Sequence, residues 1–398
     1  MIFDRNRASE LMEASGVDLL LVSSKRNAAY VSGFLKPGSY SFEADMYGFP
    51  DLIFVAIPQD QNKDPFIVLN TDNQLELYGE LDSWITDRKF YGYKDYITDS
   101  FLENDPIGLV KKGLEERSLD SSIIALELKE NSFAPDMLPV YVFDKLRKML
   151  PNSKFVDGSR IIQKLRIIKN EEEIKALRKV AQSSGEAVSL TLDLIDEGVS
   201  EKEVELKLMQ NALSQSTLIE CVHLMFLPSK IRHTNGQIII HPTSNTFQRG
   251  DMVYMDIVSR SKLYMADMSR CKFRIKPESK VSQIYETLYD ANEKIRKSIR
   301  PGLKCSDIAS MAQSTFDAAG LKPFIKDVFG HGIGVSLHEP PYISLHDQTV
   351  LEPGMVLTVE LGTFVPQPGF IHLEDTIVVN SGGCYTITNK PGREMMLL

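Results

Sequence analysis

Histidine is missing from the first 222 residues of this 398-residue chain; all seven, His223, His233, His241, His331, His338, His346 and His372, lie beyond them. Any imidazole chemistry therefore belongs to a C-terminal unit, and the N-terminal part serves another purpose. Paired cysteine is lacking as well. Cys221, Cys271, Cys305 and Cys384 are scattered with no C-x-x-C spacing, which argues against a thiolate zinc site or a disulfide framework. The longest apolar runs, such as "VDLLLV" from Val17, are too short to span a bilayer, and "MIFDRNRASELMEAS" has no signal-peptide core. Lysine and arginine form no block, and the formal net charge is -9, so the basic footprint of a nucleic-acid binder is absent. The expectation is a cytoplasmic protein with a peptide or small-molecule partner, without nucleic acid or membrane.

What is present is the composition of a soluble globular protein, 43% hydrophobic and 25% charged, at a length that suits two domains. The first half alternates helix-like "RASELMEAS", stopped by Gly16, with strand-like "VDLLLVSS", "DLIFVAIP" and "PFIVLN". That is an α/β unit, expected over residues 1–157. The second unit, 158–398, opens with paired helices. Asn170 with Glu173 and Ser200 with Glu203 have capping-box spacing, and Gly198 is the expected stop of the first helix. Strand-like "QIIIHP", "MVYMDIV" and "KLYMADMSRCKFRI" follow. Next comes a helical run with Ile284, Leu288, Ala291, Ile295 and Ile299 on one face, then the helix "SDIASMAQSTFDAAGL". Two strands around "PQPG" close the chain, so helices followed by an acid-bearing hairpin occur twice. The fold class is α/β (α+β).

The two hairpins carry the chemistry. With a loop from Ser259 to Lys262, Asp256 faces Met265, and Asp267 lies diagonally from Asp256 on one face. A loop from Val365 to Gly369 sets Glu360 directly opposite Glu374. Like charges facing each other are destabilising unless a cation or a proton lies between them. Asp256 in "VYMDIV" and Glu360 in "VLTVELG" also sit amid apolar residues, where an unpaired carboxylate is costly. Four carboxylates and His331, glycine-flanked in "FGHGIG", form an oxygen-rich set suited to two divalent ions of the manganese, cobalt or zinc type.

On these motifs the chain resembles the pita-bread metallopeptidase family that includes methionine aminopeptidase, aminopeptidase P and Xaa-Pro dipeptidase. The family's ligand set maps onto Asp256 in "MDIV", Asp267 in "ADMSR", His331 in "GHGIG", Glu360 in "LTVELG" and Glu374 in "HLEDT". "RNAAYVSGF" and "LRIIKNEEEIKALRKVA" are similar to the creatinase-like N-terminal domain and its linker, favouring the Xaa-Pro dipeptidase and aminopeptidase P branch. The resemblance implies a catalytic pita-bread domain, two divalent metal ions per chain and a homodimer whose N-terminal domain shapes a neighbouring subunit's site; "KPGSYSFEADMYGFPD" from Lys36 either takes part in that or is a solvated surface loop. It implies catalytic roles for His241, His338 and Glu360, and substrate contacts for His241, His338 and His372. A water between two cations about 3.5 to 4 Å apart would act as nucleophile, Glu360 passing its proton to the leaving nitrogen.

Three positions depart from the Xaa-Pro pattern. Asp327 stands where a histidine is common, Leu361 where a proline follows the first glutamate, and His372 where an arginine precedes the last. They bear on specificity, since no ligand is lost. Asp327 either lies near a cationic substrate group or pairs with Lys326 or another base. The implied function is a dinuclear-metal exopeptidase cleaving Xaa-Pro bonds. The alternatives are a family hydrolase for a small zwitterionic amide or other non-peptide substrate, and a binding module, against which the intact ligand set argues. His223, His233 and His346 receive no role.

Overall fold

The computed structural model describes residues 3–34, 52–70, 83–92, 94–95, 100–101, 105–128, 138–227, 233–234, 237–238, 241–365 and 369–389. The segment from Lys36 to Asp51 and the "PQP" of the last turn lie outside them. The chain divides into Met1–Arg166 and Ile167–Leu398. This division falls after Arg166 rather than after residue 157 because the helix that follows, Ser159–Ile167, buries Ile161, Ile162 and Leu165. The first unit also holds that helix by hydrogen bonds: Tyr30 donates to the Leu165 carbonyl at 3.2 Å, and Arg166 donates to Asn27 at 2.7 Å.

In the first unit, α1 (Arg5–Glu13) starts on Asp4, which accepts the Arg7 N–H, and ends before Gly16 at φ 64°. Strands β1 (Leu19–Val22), β2 (Phe54–Pro58), β3 (Phe66–Asn70), β4 (Asp87–Tyr91), β5 (Ile123–Leu126) and β6 (Lys154–Asp157) form a mixed sheet in the order β4-β3-β2-β1-β5-β6. β1 is apolar at every position and wholly buried, as a strand covered on both faces must be.

The second unit opens with α2 (Glu171–Leu192) and α3 (Glu201–Ser214). Both capping boxes form: Asn170 Oδ1 accepts the Glu173 N–H, Glu173 returns a bond to the Asn170 N–H, and Ser200 with Glu203 does the same. α2 ends at Leu192, ahead of the expected stop; Gly198, at φ 88°, instead turns the chain before Ser200. α4 (Ser279–Ser298) and α5 (Cys305–Ala319) bury Tyr285, Leu288, Ala291, Ile295, Ile308 and Phe316 in one core with the sheet. Each large apolar side chain so buried contributes roughly 1.5–3 kcal/mol.

Onto these helices packs a sheet of β7 (Leu218–Leu227), β8 (Met252–Ser261), β9 (Tyr264–Phe273), β10 (Val328–Gly332), β11 (Glu339–Ser344), β12 (Val356–Phe364) and β13 (Phe370–Asn380), ordered β11-β10-β12-β13-β9-β8-β7. β14 (Gly383–Thr386) pairs with β13. The β8–β9 register departs from expectation. The turn is only Lys262 and Leu263, Ser261 faces Tyr264, and Asp256 faces Ser269 while Asp267 faces Val258. Lys262 accepts φ 54°, so the ladder continues to the tightest turn instead of leaving four residues unpaired. Because the slip is even-numbered, Asp256 and Asp267 stay on one face. In β12–β13, Glu360 does face Glu374, with Phe364 opposite Phe370. Among the described residues no helix is long and apolar enough to cross a membrane.

Candidate metal centre and its cavity

The central strands bring four of the five expected ligands together. Asp267 on β9, His331 on β10 and Glu374 on β13 each place a ligand atom within 4.8 Å of the others, and Glu360, His372 and Glu374 do likewise. The two triads share Glu374. His331 Nε2 lies 3.6 Å from Asp267 Oδ2 and 4.0 Å from Glu374 Oε1. Its Nδ1 is 3.0 Å from the Gly332 carbonyl, which can only accept, so the proton sits on Nδ1 and Nε2 is free to ligate. Asp256 lines the same cavity outside both triads. Tyr254 donates to its Oδ2 at 3.0 Å, and His223 Nδ1 lies 3.5 Å from the same atom.

Glycine permits this approach of strands. Gly330 has φ 149°, and a Cβ there would come 2.2 Å from the Thr358 carbonyl; one on Gly332 would meet the Glu339 and Pro340 carbonyls at 2.6 Å. Hydrogen bonds set the ligands behind the site. Thr358 accepts the His331 N–H at 3.2 Å, Thr376 donates to the Asp267 carbonyl at 3.0 Å, and buried Arg270 donates to the Glu374 carbonyl at 2.6 Å while pairing with Asp375 at 2.9 Å.

The electrostatics are those of crowded, buried acids. Burial, with Asp256 and Glu360 adding, raises Asp267 to about 6 against the opposing His331. Glu374 is pushed well above the carboxylate range by burial and by Asp267, Glu360 and Asp256. Burial also pushes Glu360 upward, but the adjacent His372, His331 and His338 outweigh it and lower its pKa. His331 and His372 are raised, because Asp267 and Glu360 respectively overcome their loss of hydration. Asp267 Oδ1 and Glu374 Oε1 are buried without a hydrogen-bond partner. Uncompensated acid oxygens in such a place are costly, and a divalent cation is what a mixed carboxylate and imidazole set would take.

The cavity above the ligands has a volume of about 550 Å³. One wall is aromatic, with Phe324 centred 4.7 Å from Phe370 and 5.3 Å from Phe364, and Phe370 5.6 Å from His372. His338 keeps contact with solvent at the rim, its ring 4.2 Å from that of His331; the protein packed around it and His331 lower its pKa. His372, expected at the substrate, lines the cavity and is buried, with Nε2 3.6 Å from Glu360 Oε2 in the second triad. His241 is exposed, 6.1 Å from the His223 ring, and is not among the described lining residues. Asp327 stands within 4.0 Å of Lys326 Nζ and 3.8 Å of His346 Nε2, and Leu361 is packed in the core. Sequence reasoning passed over His223, Tyr254 and the aromatic wall. The alternation of His223, Met225 and Leu227, which all line the cavity, was the available signal for the first.

Residues 175–381 match the profile of metallopeptidase family M24, and residues 5–168 that of the creatinase/prolidase N-terminal domain. The Xaa-Pro dipeptidase of Pyrococcus horikoshii is 29% identical over 283 residues, covering 70% of this chain and 79% of that protein. The Xaa-Pro dipeptidase of Pyrococcus furiosus is 30% identical over 243 residues, 59% and 67% of the two chains. Among solved structures, an Xaa-Pro dipeptidase from Bacillus anthracis superposes with a TM-score of 0.77 over 99% of both chains at 23% identity, a likeness of fold.

Proposed function

Because the chain belongs to metallopeptidase family M24, whose creatinase-like N-terminal and pita-bread catalytic domains it has, we propose that this metal-dependent hydrolase cleaves Xaa-Pro bonds from the amino end of dipeptides or short peptides. The observation that carries the reading is the pair of triads sharing Glu374, with orphaned oxygens on Asp267 and Glu374. Asp256, Asp267, His331, Glu360 and Glu374 would hold two divalent ions, manganese, cobalt or zinc, with His372 beside the second. When bound, such ions supply a polarised carbonyl and a water acidified to near neutral pH.

The protein's own groups do the rest. Glu360 Oε2, facing His372 at 3.6 Å, is the place where the proton of the attacking water is held before it passes to the leaving nitrogen. His338, whose pKa is lowered by burial and by His331, donates a hydrogen bond to the oxyanion as the carbonyl becomes tetrahedral. Phe324, Phe364 and Phe370 offer an apolar face to the proline ring or the neighbouring side chain, and exclude water from the scissile bond. His241, exposed and 6.1 Å from the His223 ring, is assigned to the substrate's outer part.

The reading extends to a cytoplasmic homodimer, supported by the family resemblance and checked by light scattering and fractionation. It is tested by a metal-reconstituted screen of Xaa-Pro dipeptides, longer Xaa-Pro peptides, and N-acyl or betaine-like small molecules. Cleavage of Xaa-Pro substrates, fastest with an apolar Xaa, is expected. Turnover confined to the non-peptide compounds would overturn it.

A further inference from the structure

The segment from His331 to His338 closes on Glu339, a buried carboxylate with no part in the chemistry above. Its Oε1 accepts the Ser336 N–H at 2.8 Å, and its Oε2 lies 3.2 Å from Lys169 Nζ. Lys169 is equally buried and stands in "RIIKNEEE", ahead of α2. Its backbone is immobilised: the N–H donates to the Gly354 carbonyl at 2.8 Å, and a Cβ on Gly354 would meet the Lys169 carbonyl at 2.8 Å. Gly334 covers the pair, for a Cβ there would come 2.9 Å from Glu339 Oε2 and 3.0 Å from Lys169 Cε. The Gly334 carbonyl in turn accepts the Met265 N–H at 2.9 Å, two residues before the ligand Asp267. One ion pair thus ties together the start of α2, the turn before β12, the β9 ligand strand and the His338 segment.

We propose that Lys169 is a positioning residue for catalysis, its ammonium locking Glu339 and thereby the 334–339 loop that holds His338 over the ligand cluster. A buried carboxylate separated from its cation is strongly disfavoured, so loop conformations that withdraw Glu339 are suppressed, and the His338 ring stays beside His331. The assignment rests on the role given to His338 above.

The test compares Lys169→Met, His338→Ala and their combination in manganese-loaded protein, using the Xaa-Pro substrate the unaltered enzyme turns over fastest. Metal content and amide exchange over 334–339 are read alongside. Lys169→Met should lower kcat by about tenfold or more with KM changed less than about threefold, leave metal content intact, and speed exchange at Ser336. Lys169→Arg should restore most of the turnover. On the His338→Ala background the same change should add little, because both remove one contribution. Equal fold-losses on both backgrounds, full turnover by either single variant, or unchanged exchange at Ser336 would overturn the assignment. If Lys169→Met does not fold, Lys169→Met with Glu339→Leu replaces the buried pair by apolar groups, and non-additivity with His338→Ala decides. If no Xaa-Pro substrate is cleaved, the peptide reading fails separately, and exchange at Ser336 decides for Lys169.

Discussion

At the scale of residues, His338 and Asp267 should part company on mutation, because one is proposed to face the substrate and the other the cations. His338→Ala is expected to keep its metal and its thermal melting point while turnover falls roughly a hundredfold, the cost of one transition-state hydrogen bond. Asp267→Ala should lose metal by elemental analysis. Glu173 gives a pH prediction away from the ligands. Burial chiefly, with Glu339 adding, raises its pKa from 4.5 to about 7, against the hydrogen bond from Asn170, the charge of Lys169 and the Tyr264 hydroxyl. Below pH 4.5 it is protonated in both folded and unfolded chains and costs nothing. Between 4.5 and 7 the unfolded chain releases the proton while the folded one retains it, so stability declines as pH rises and levels off above 7. Glu173→Gln keeps a capping-box side chain but does not titrate. Its stability relative to the unaltered protein should rise by up to about 3 kcal/mol across that window in urea melts; a constant difference would disprove the shift.

At the scale of elements, the hairpins show what a strand pattern determines. Glu360 faces Glu374 because a loop of known length fixes where pairing resumes. The β8–β9 turn moved by an even number of residues without disturbing the shared face, so the chemistry survived an error in register. Within β10, Gly330 is sensitive to change, since its φ of 149° and the Thr358 carbonyl at 2.2 Å from a Cβ are both backbone constraints. Gly330→Ala should destabilise the second unit by about 3 kcal/mol or more in denaturant melts, and should displace His331. Gly198→Ala, with φ 88° but nothing within 4 Å, should cost only the conformational strain, about 1 kcal/mol.

At the scale of the whole molecule, the five proposed ligands come from five strands spread between Met252 and Asn380, so metal binding and folding would be linked. Ions that bind the folded chain and not the unfolded one stabilise it by about 4 kcal/mol when present at a thousand times their Kd. Manganese, cobalt or zinc should therefore raise the melting temperature, and a chelator should reverse the rise. A melting point insensitive to all three ions would contradict the centre.

Read alone, the sequence was enough to nominate Asp267, His331, Glu360 and Glu374, which the fold brings into two triads, because carboxylates opposed within apolar strands and a histidine between glycines point to a divalent cation as partner. It also revealed the capping boxes at Asn170 and Ser200, which are local hydrogen-bond patterns four residues long. What it could not reveal depends on contacts between remote segments. His223 approaches Asp256 only through the pairing of β7 with β8. His372 lines the cavity and also comes beside Glu360 and Glu374, a neighbourhood set by the pairing of β12 with β13. The Lys169 and Glu339 pair spans 170 positions, and no periodicity connects residues so far apart; only the packing that excludes water from both charges brings them together.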